Sequence, residues 1–343
     1  MNFTKHILTI EPAVEADRII QSLRRNVQMV LRRQGGVVGI SGGVDSAVVL
    51  SLCVRAFGPQ KITALMMPDK DSDLESEKLA RDLARQCGVT PLLEDVTPAL
   101  EGFGCYRRRD EAIRRVFPEY DPARGYKAKI VLPQNLLEEN TLNLFSLTIV
   151  RPDGEERTTP LPAKEYLQIV AASNFKQRVR MTTLYYHAEL NNFAVIGTAN
   201  KNEHDQGFFV KYGDAGVDIK PIGHLYKTQV YQLAAYLEVP EAIRKRPPTS
   251  DTYSAPCTQQ EFFFRLPFET MDLLRYAQEH DIPKAEVAQV MGLTEEQVRR
   301  AFDDFTRKFR TTSYLRMPPL GLNPPEVSTR NDGVLSSSHP AVA

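Results

Sequence analysis

Residues 36–58 read GVVGISGGVDSAVVLSLCVRAFG. Val37, Val38 and Ile40 make a short apolar run beside glycine, the pattern of a strand buried on both faces of a parallel sheet. From Asp45 to Phe57 the apolar spacing turns helical, with Ala47, Val48, Leu52, Val54 and Ala56 available to a buried face and Gly58 as the stop. Between strand and helix stands Ser41-Gly42-Gly43-Val44-Asp45-Ser46. Its two glycines permit a sharp turn and a close approach of backbone to ligand. Unpaired N–H groups and the positive end of the helix dipole then favour phosphate above the turn. Ser41 and Ser46 add hydroxyl donors, and Asp45 offers a carboxylate to a Mg²⁺ bridging phosphate oxygens. The Walker pattern requires a lysine after the glycines, and none follows.

The 343 residues suffice for a large core. Lys plus Arg equals Asp plus Glu at 43 each, so net charge points neither to nucleic acid nor to a membrane surface. Cys53, Cys87, Cys105 and Cys257 are far apart without a C-x-x-C pair, which predicts reduced thiols. No apolar run reaches the length of a membrane span and no signal-peptide core stands at the start, so a soluble, cytoplasmic protein is expected.

Around the loop, the pattern predicts an amphipathic helix over 12–33, strands over 61–67 and 92–96, and a helix over 74–87. Alternation of this kind predicts an α/β fold, a doubly wound parallel sheet flanked by helices. Ligands of such sheets bind beyond the C-terminal strand ends, which brings Asp69, Lys70, Ser72 and Ser76 near the same site. Residues 103–162 break the alternation and read as an insertion with a basic helix and a hairpin turning at Pro152-Asp153-Gly154. A long helix over 163–191 follows, carrying Arg178 and Arg180; residues two apart do not share a helix face, so one arginine can meet a ligand while the other pairs elsewhere. A strand over 193–197 leads to a second polar cluster, FFVKYGDAGVDIKPIGHLYKTQV (208–230). Three helical segments near 259–279, 283–291 and 294–310 complete a domain over 1–317, and 318–343 reads as a disordered tail.

SGGVDS resembles the signature of the N-type ATP pyrophosphatases (PP-loop enzymes), which split ATP between its α- and β-phosphates. Together with NFKQRVRM, GTANKNE, GFFVKYGDAGVD, PIGHLYKTQV and RPPTSD, the chain resembles the NAD⁺ synthetases. That resemblance implies an adenine nucleotide α-hydrolase-like fold and a C–N ligase reaction. ATP adenylates the nicotinate carboxylate of deamido-NAD⁺, releasing pyrophosphate, and ammonia then displaces AMP. It implies ATP on Gly39, Ile40, Ser41, Gly42, Gly43, Val44, Asp45 and Ser46, with Thr198, Lys227 and Thr249 as further ATP contacts. It implies Mg²⁺ on Asp45 and Glu203, deamido-NAD⁺ on Arg178, Lys211 and Asp218, and Asp45 and Lys227 as the catalytic pair. The chain departs from the family at Thr252–Cys257, where many members are acidic, and at Arg307-Lys308-Phe309-Arg310, where members carry a His-Lys pair on the substrate. A homodimer is expected, with substrate across the subunit interface. The short segment before the loop leaves no room for an amidase domain, so free ammonia, or ammonia from a separate glutaminase subunit, is the expected nitrogen donor. The competing readings are a PP-loop amide ligase for another carboxylate and a non-catalytic nucleotide-binding regulator.

Overall fold

The computed structural model describes residues 3–133, 136–138, 144–249 and 252–322. Its central sheet has four strands, all parallel: β1 (Gly36–Gly39), β2 (Ile62–Met66), β3 (Leu92–Leu93) and, after a long excursion, β7 (Ala194–Ile196), in the order β3-β2-β1-β7. The side-chain period of two divides the strands between two cores. Val37, Leu65 and Val195 pack on Leu184, Tyr185 and Ala188, whereas Val38, Ala64, Met66 and Ile196 face the opposite way.

The helices account for both faces. On the second face lie α1 (Pro12–Arg24), α2 (Val44–Phe57), α3 (Leu74–Gln86) and α8 (Lys227–Tyr236). On the first lies α6 (Ala163–Asn191), which runs past the whole central sheet and onward. The doubly wound arrangement expected from the alternation is therefore present. β3 is shorter than the strand expected over 92–96. It is an exposed edge strand after Pro91, although Glu94 and Val96 still donate to the carbonyls of Met66 and Pro68.

Helices α4 (Thr97–Gly102) and α5 (Cys105–Val116) precede a second sheet of β4 (Lys127–Val131), β5 (Ser146–Val150) and β6 (Glu156–Pro160). The expected hairpin is β5-β6; β4 is an antiparallel third strand that the sequence reading passed over. Ala128, Ile130, Leu147 and Ile149 alternate inward against Ala112 and Ile113 of α5 and Ile169 of α6. After β7 come α7 (Lys201–Gln206), then α8, α9 (Glu241–Lys245), α10 (Phe268–Glu279), α11 (Lys284–Met291), α12 (Glu295–Thr311) and α13 (Ser313–Arg316). Of these, α10, α11 and α12 build a helical core around Phe264, Met271, Val298 and Phe305. Residues 318–322 carry no helix or strand, and the rest of the expected tail lies outside the described residues. Among the described residues, no helix is long and apolar enough to cross a membrane.

Candidate active site

A cavity of ≈ 800 Å³ opens at the C-terminal ends of β1, β2 and β7. This lies toward the large end of single-ligand sites, which run to about 1,000 Å³. Gly43 caps α2 without any side-chain hydrogen bond, so the first-turn N–H groups remain available to an anion. The two serine hydroxyls instead shape the turn: Ser46 Oγ donates to the Gly43 carbonyl at 3.0 Å and stands 3.3 Å from Ser41 Oγ. Gly39, Ile40, Ser41, Gly43, Val44, Asp45 and Ser46 line the cavity. Gly42 faces away, at φ +74°, and a Cβ there would stand 2.5 Å from the Ser76 carbonyl oxygen. Gly42→Ala is expected to lower the melting temperature, since left-handed backbone alone costs an L-residue about 1–2 kcal/mol. It is also expected to weaken ATP binding by displacing the turn. Calorimetric titration with ATP checks this, and wild-type affinity would show that the turn takes no part.

The chemistry concentrates on Asp45. It lies in the first turn of α2, where Lys227 Nζ pairs with its Oδ2 and Asn200 Nδ2 donates to Oδ1 at 3.1 Å. Lys227, the first residue of α8, is fully buried. Burial opposes its charge, but Asp45 and Glu203 outweigh that and raise its pKa. Glu203 is placed by a capping box on α7: Asn200 Oδ1 accepts from the Glu203 N–H at 3.2 Å, and Glu203 Oε2 accepts from the Asn200 N–H at 3.0 Å. Burial first, and then the neighbouring Asp45 charge, push the Glu203 carboxyl up to about 8. Two carboxylates crowded in this way suit a hard divalent cation. Among the described residues no group of three or more His, Cys, Asp or Glu is arranged for a metal.

Thr198, Thr249, Arg178 and Lys211 also line the cavity. Arg180 lines the cavity too, while pairing with Asp69 at 2.8 Å and donating to the Met67 carbonyl. Arg178 makes one long bond, 3.4 Å, to the Lys211 carbonyl. The Lys211 ammonium is held by the carbonyls of Tyr314 and Met317, at 3.0 and 2.8 Å. Gly213 and Gly216 let this loop lie on α6, since a Cβ at either would come within about 3 Å of Gln177 or Met181.

The family model for NAD synthase matches residues 15–115 and 149–316. The chain belongs to the NAD synthase family. A Mesorhizobium japonicum protein described as NH(3)-dependent NAD(+) synthetase is 51% identical, over 92% of this chain and 98% of its own. Another so described, from Thermotoga neapolitana, is 36% identical over 86% of this chain and 93% of its own. The solved NH3-dependent NAD synthetase from Campylobacter jejuni superposes with a TM-score of 0.60 at 22% identity, covering 92% of this chain and all of that one, and so shares the fold.

The family match leaves 116–148 uncovered, a shorter stretch than the 103–162 read as an insertion; α5 belongs to the shared part. Phe145, inside the uncovered stretch, lines the cavity and stacks on Tyr166 with centroids 4.7 Å apart.

The structure does not bring Asp218 together with the other substrate-site candidates. Its Oδ2 accepts from the Val195 N–H at 2.8 Å and its Oδ1 from the Tyr185 hydroxyl at 3.1 Å, on the outer edge of β7 rather than in the cavity. An edge strand has free N–H groups, and a carboxylate satisfies one here. Lys308 likewise points away: it is buried, bonded to the Phe263 carbonyl and paired with Asp304. Of the residues after β2, Ser72 and Ser76 line the cavity, whereas Asp69 is engaged in a buried ion cluster and Lys70 covers the Tyr106 ring. Ser250 and Asp251 of RPPTSD lie outside the described residues.

Four further residues escaped the sequence reading. Arg246 and Asp73 both line the cavity and bridge its mouth at 2.9 Å; the arginine before Pro247-Pro248 was a visible signal. Asp214 lines the cavity as well, its carboxylate accepting from the Val210 N–H at 2.7 Å. Buried Asp272 on α10 accepts from Asn202 Nδ2 at 2.6 Å and from the Thr228 N–H at 2.7 Å, so one carboxylate holds the chain neighbours of both Glu203 and Lys227.

Proposed function

We infer that the chain forms NAD⁺ from deamido-NAD⁺, ATP and ammonia, releasing AMP and pyrophosphate. The observation that carries this reading is the meeting of Asp45, Glu203 and Lys227 at the phosphate loop, in a cavity also lined by Arg178. Acid and triphosphate repel each other, so attack of the carboxylate on the α-phosphorus needs cations aligned in advance. Lys227 would neutralise phosphate charge, with uncapped α2 as a second anion site. Arg178 is the cation for the dinucleotide, joined by Lys211 once its ammonium leaves the Tyr314 and Met317 carbonyls. Thr198 and Thr249 add polar contacts for ATP. Phe145, Tyr166, Phe208 and Phe262 offer flat apolar walls for the ligands' rings. Mg²⁺, held by Asp45 and Glu203, would supply charge neutralisation on the phosphates. No protein nucleophile is needed, because AMP is the leaving group.

The reading includes a homodimer in the cytoplasm. With substrate across the subunit interface, Asp218, outside its own subunit's cavity, becomes available to a substrate held by a second copy. Sedimentation tests the dimer, and a monomer at assay concentration would exclude this role for Asp218. For the reaction itself, the purified protein is given ATP, Mg²⁺ and deamido-NAD⁺ with ammonium or glutamine. Ammonium is expected to yield NAD⁺, AMP and pyrophosphate in equal amounts, and glutamine alone none. Preferred turnover of another acid, or ATP binding without pyrophosphate release, overturns the reading.

A further inference from the structure

Behind the loop that follows β2, three carboxylates and three cations close on one another. Lys176 Nζ lies 2.9 Å from Asp69 and 2.8 Å from Asp71, Arg180 pairs with Asp69 at 2.8 Å, and Arg109 on α5 reaches Asp71 at 2.5 Å and Asp110 at 2.9 Å. Asp69, Lys176, Arg109 and Asp110 are buried, and the Tyr106 hydroxyl points at Asp69 from 3.4 Å. Burial opposes ionisation of Asp71, yet Lys176 and Arg109 outweigh it and hold the carboxyl below its usual range.

Stability alone does not account for such a cluster, because well-packed apolar residues of similar volume often serve as well or better. Directional, charge-assisted bonds differ from apolar contacts in fixing position. What they fix here is the loop between β2 and α3. Its Met67, Pro68, Ser72 and Asp73 line the cavity opposite Ser173, Gln177 and Met181 of α6. That wall and the first turn of α3 also abut the phosphate loop: Met67 Cε packs over Gly39, and the Ser76 carbonyl of α3 over Gly42. Lys176 and Arg180, one turn apart on α6, tie the wall from one side, and Arg109 ties it from the other. Arg109 itself does not line the cavity.

We propose that Arg109, acting through Asp71, is a positioning residue for ATP: it sets the spacing between the β2–α3 loop and α6 that the nucleotide requires. The proposal rests on the reading that ATP occupies the cavity at Gly39–Ser46. The test measures both KM values, kcat and melting temperature for wild type, Arg109→Met, Arg109→Lys and the double variant Arg109→Met/Asp71→Asn. Arg109→Met is expected to raise the ATP KM about tenfold through misplacement of the wall, with kcat and the deamido-NAD⁺ KM within about twofold, as that side of the cavity is untouched. Its melting temperature falls, because Asp71 loses a partner. Arg109→Lys keeps the charge but not the fork that reaches two carboxylates, and gives an intermediate ATP KM. The double variant restores charge balance and recovers melting temperature, while its ATP KM stays raised. An ATP KM near wild type in Arg109→Met overturns the proposal. So does an ATP KM that recovers together with melting temperature in the double variant, or an equal rise in both KM values. Should Arg109→Met not fold, Arg109→Lys decides by the same criterion. Absence of turnover in the wild-type protein counts instead against the proposed function.

Discussion

Asp45→Ala is expected to lower deamido-NAD⁺-dependent pyrophosphate release by at least about 10³-fold, the scale of losing a group that stabilises charge in the transition state, while the protein stays folded. Both halves follow from the company Asp45 keeps. Removing the partner of a buried ammonium ordinarily costs about 3–5 kcal/mol, because a charge is left without compensation. Here Lys227 has a second acid beside it, Glu203, which already contributes to its raised pKa and, once Asp45 is gone, loses one of the two causes that push its own carboxyl up. The fold therefore retains a counter-charge for Lys227. The reaction does not: one of two carboxylates is gone, and Lys227 is drawn from the phosphate loop toward α7. A pyrophosphate assay alongside thermal unfolding checks the pair of outcomes. Wild-type activity would remove the role assigned to Asp45, and an unfolded variant would refute the compensation by Glu203.

Asp272→Ala is expected to destabilise the protein by about 2–5 kcal/mol, because two buried donors, Asn202 Nδ2 and the Thr228 N–H, lose their acceptor. Activity falls too, since Glu203 directly follows Asn202 in α7 and Lys227 directly precedes Thr228 in α8. Burial pushes the Asp272 carboxyl up to about 6 despite those hydrogen bonds. A carboxyl raised on folding contributes stability that is fully present below its unfolded value, near 4, and is lost as pH rises through about 6. Asp272→Asn is therefore expected to flatten this segment of the stability–pH curve. Urea unfolding between pH 4 and 7 measures both effects, and parallel curves for wild type and Asp272→Asn would contradict them.

The phosphate loop and its strand–turn–helix setting were legible because every cue is local: an apolar run, two glycines, an uncapped helix start. Helix geometry separates Arg178 from Arg180, two residues apart, and the ion pair of Arg180 with Asp69 fits that separation, although both arginines line the cavity. Asp218 was not legible. That its carboxylate would satisfy the edge of β7 depends on which strand lies outermost, and neighbouring residues carry no sign of that. Asp272 sits in an ordinary amphipathic helix, and its role depends on two partners, 44 and 70 residues away in the chain. β4 was missed because its alternation, Lys127-Ala128-Lys129-Ile130-Val131, is short and begins among charges, and gains its meaning only by pairing with β5.

The direct test of a single cavity joining the two reactants follows one oxygen. Deamido-NAD⁺ carrying ¹⁸O in its nicotinate carboxylate is turned over once with ATP and ammonium, and the products are weighed by mass spectrometry. Attack of that carboxylate on the α-phosphorus predicts one ¹⁸O in AMP, none in pyrophosphate, and the other retained in the amide of NAD⁺. Unlabelled AMP, or ADP with labelled orthophosphate, would contradict the account.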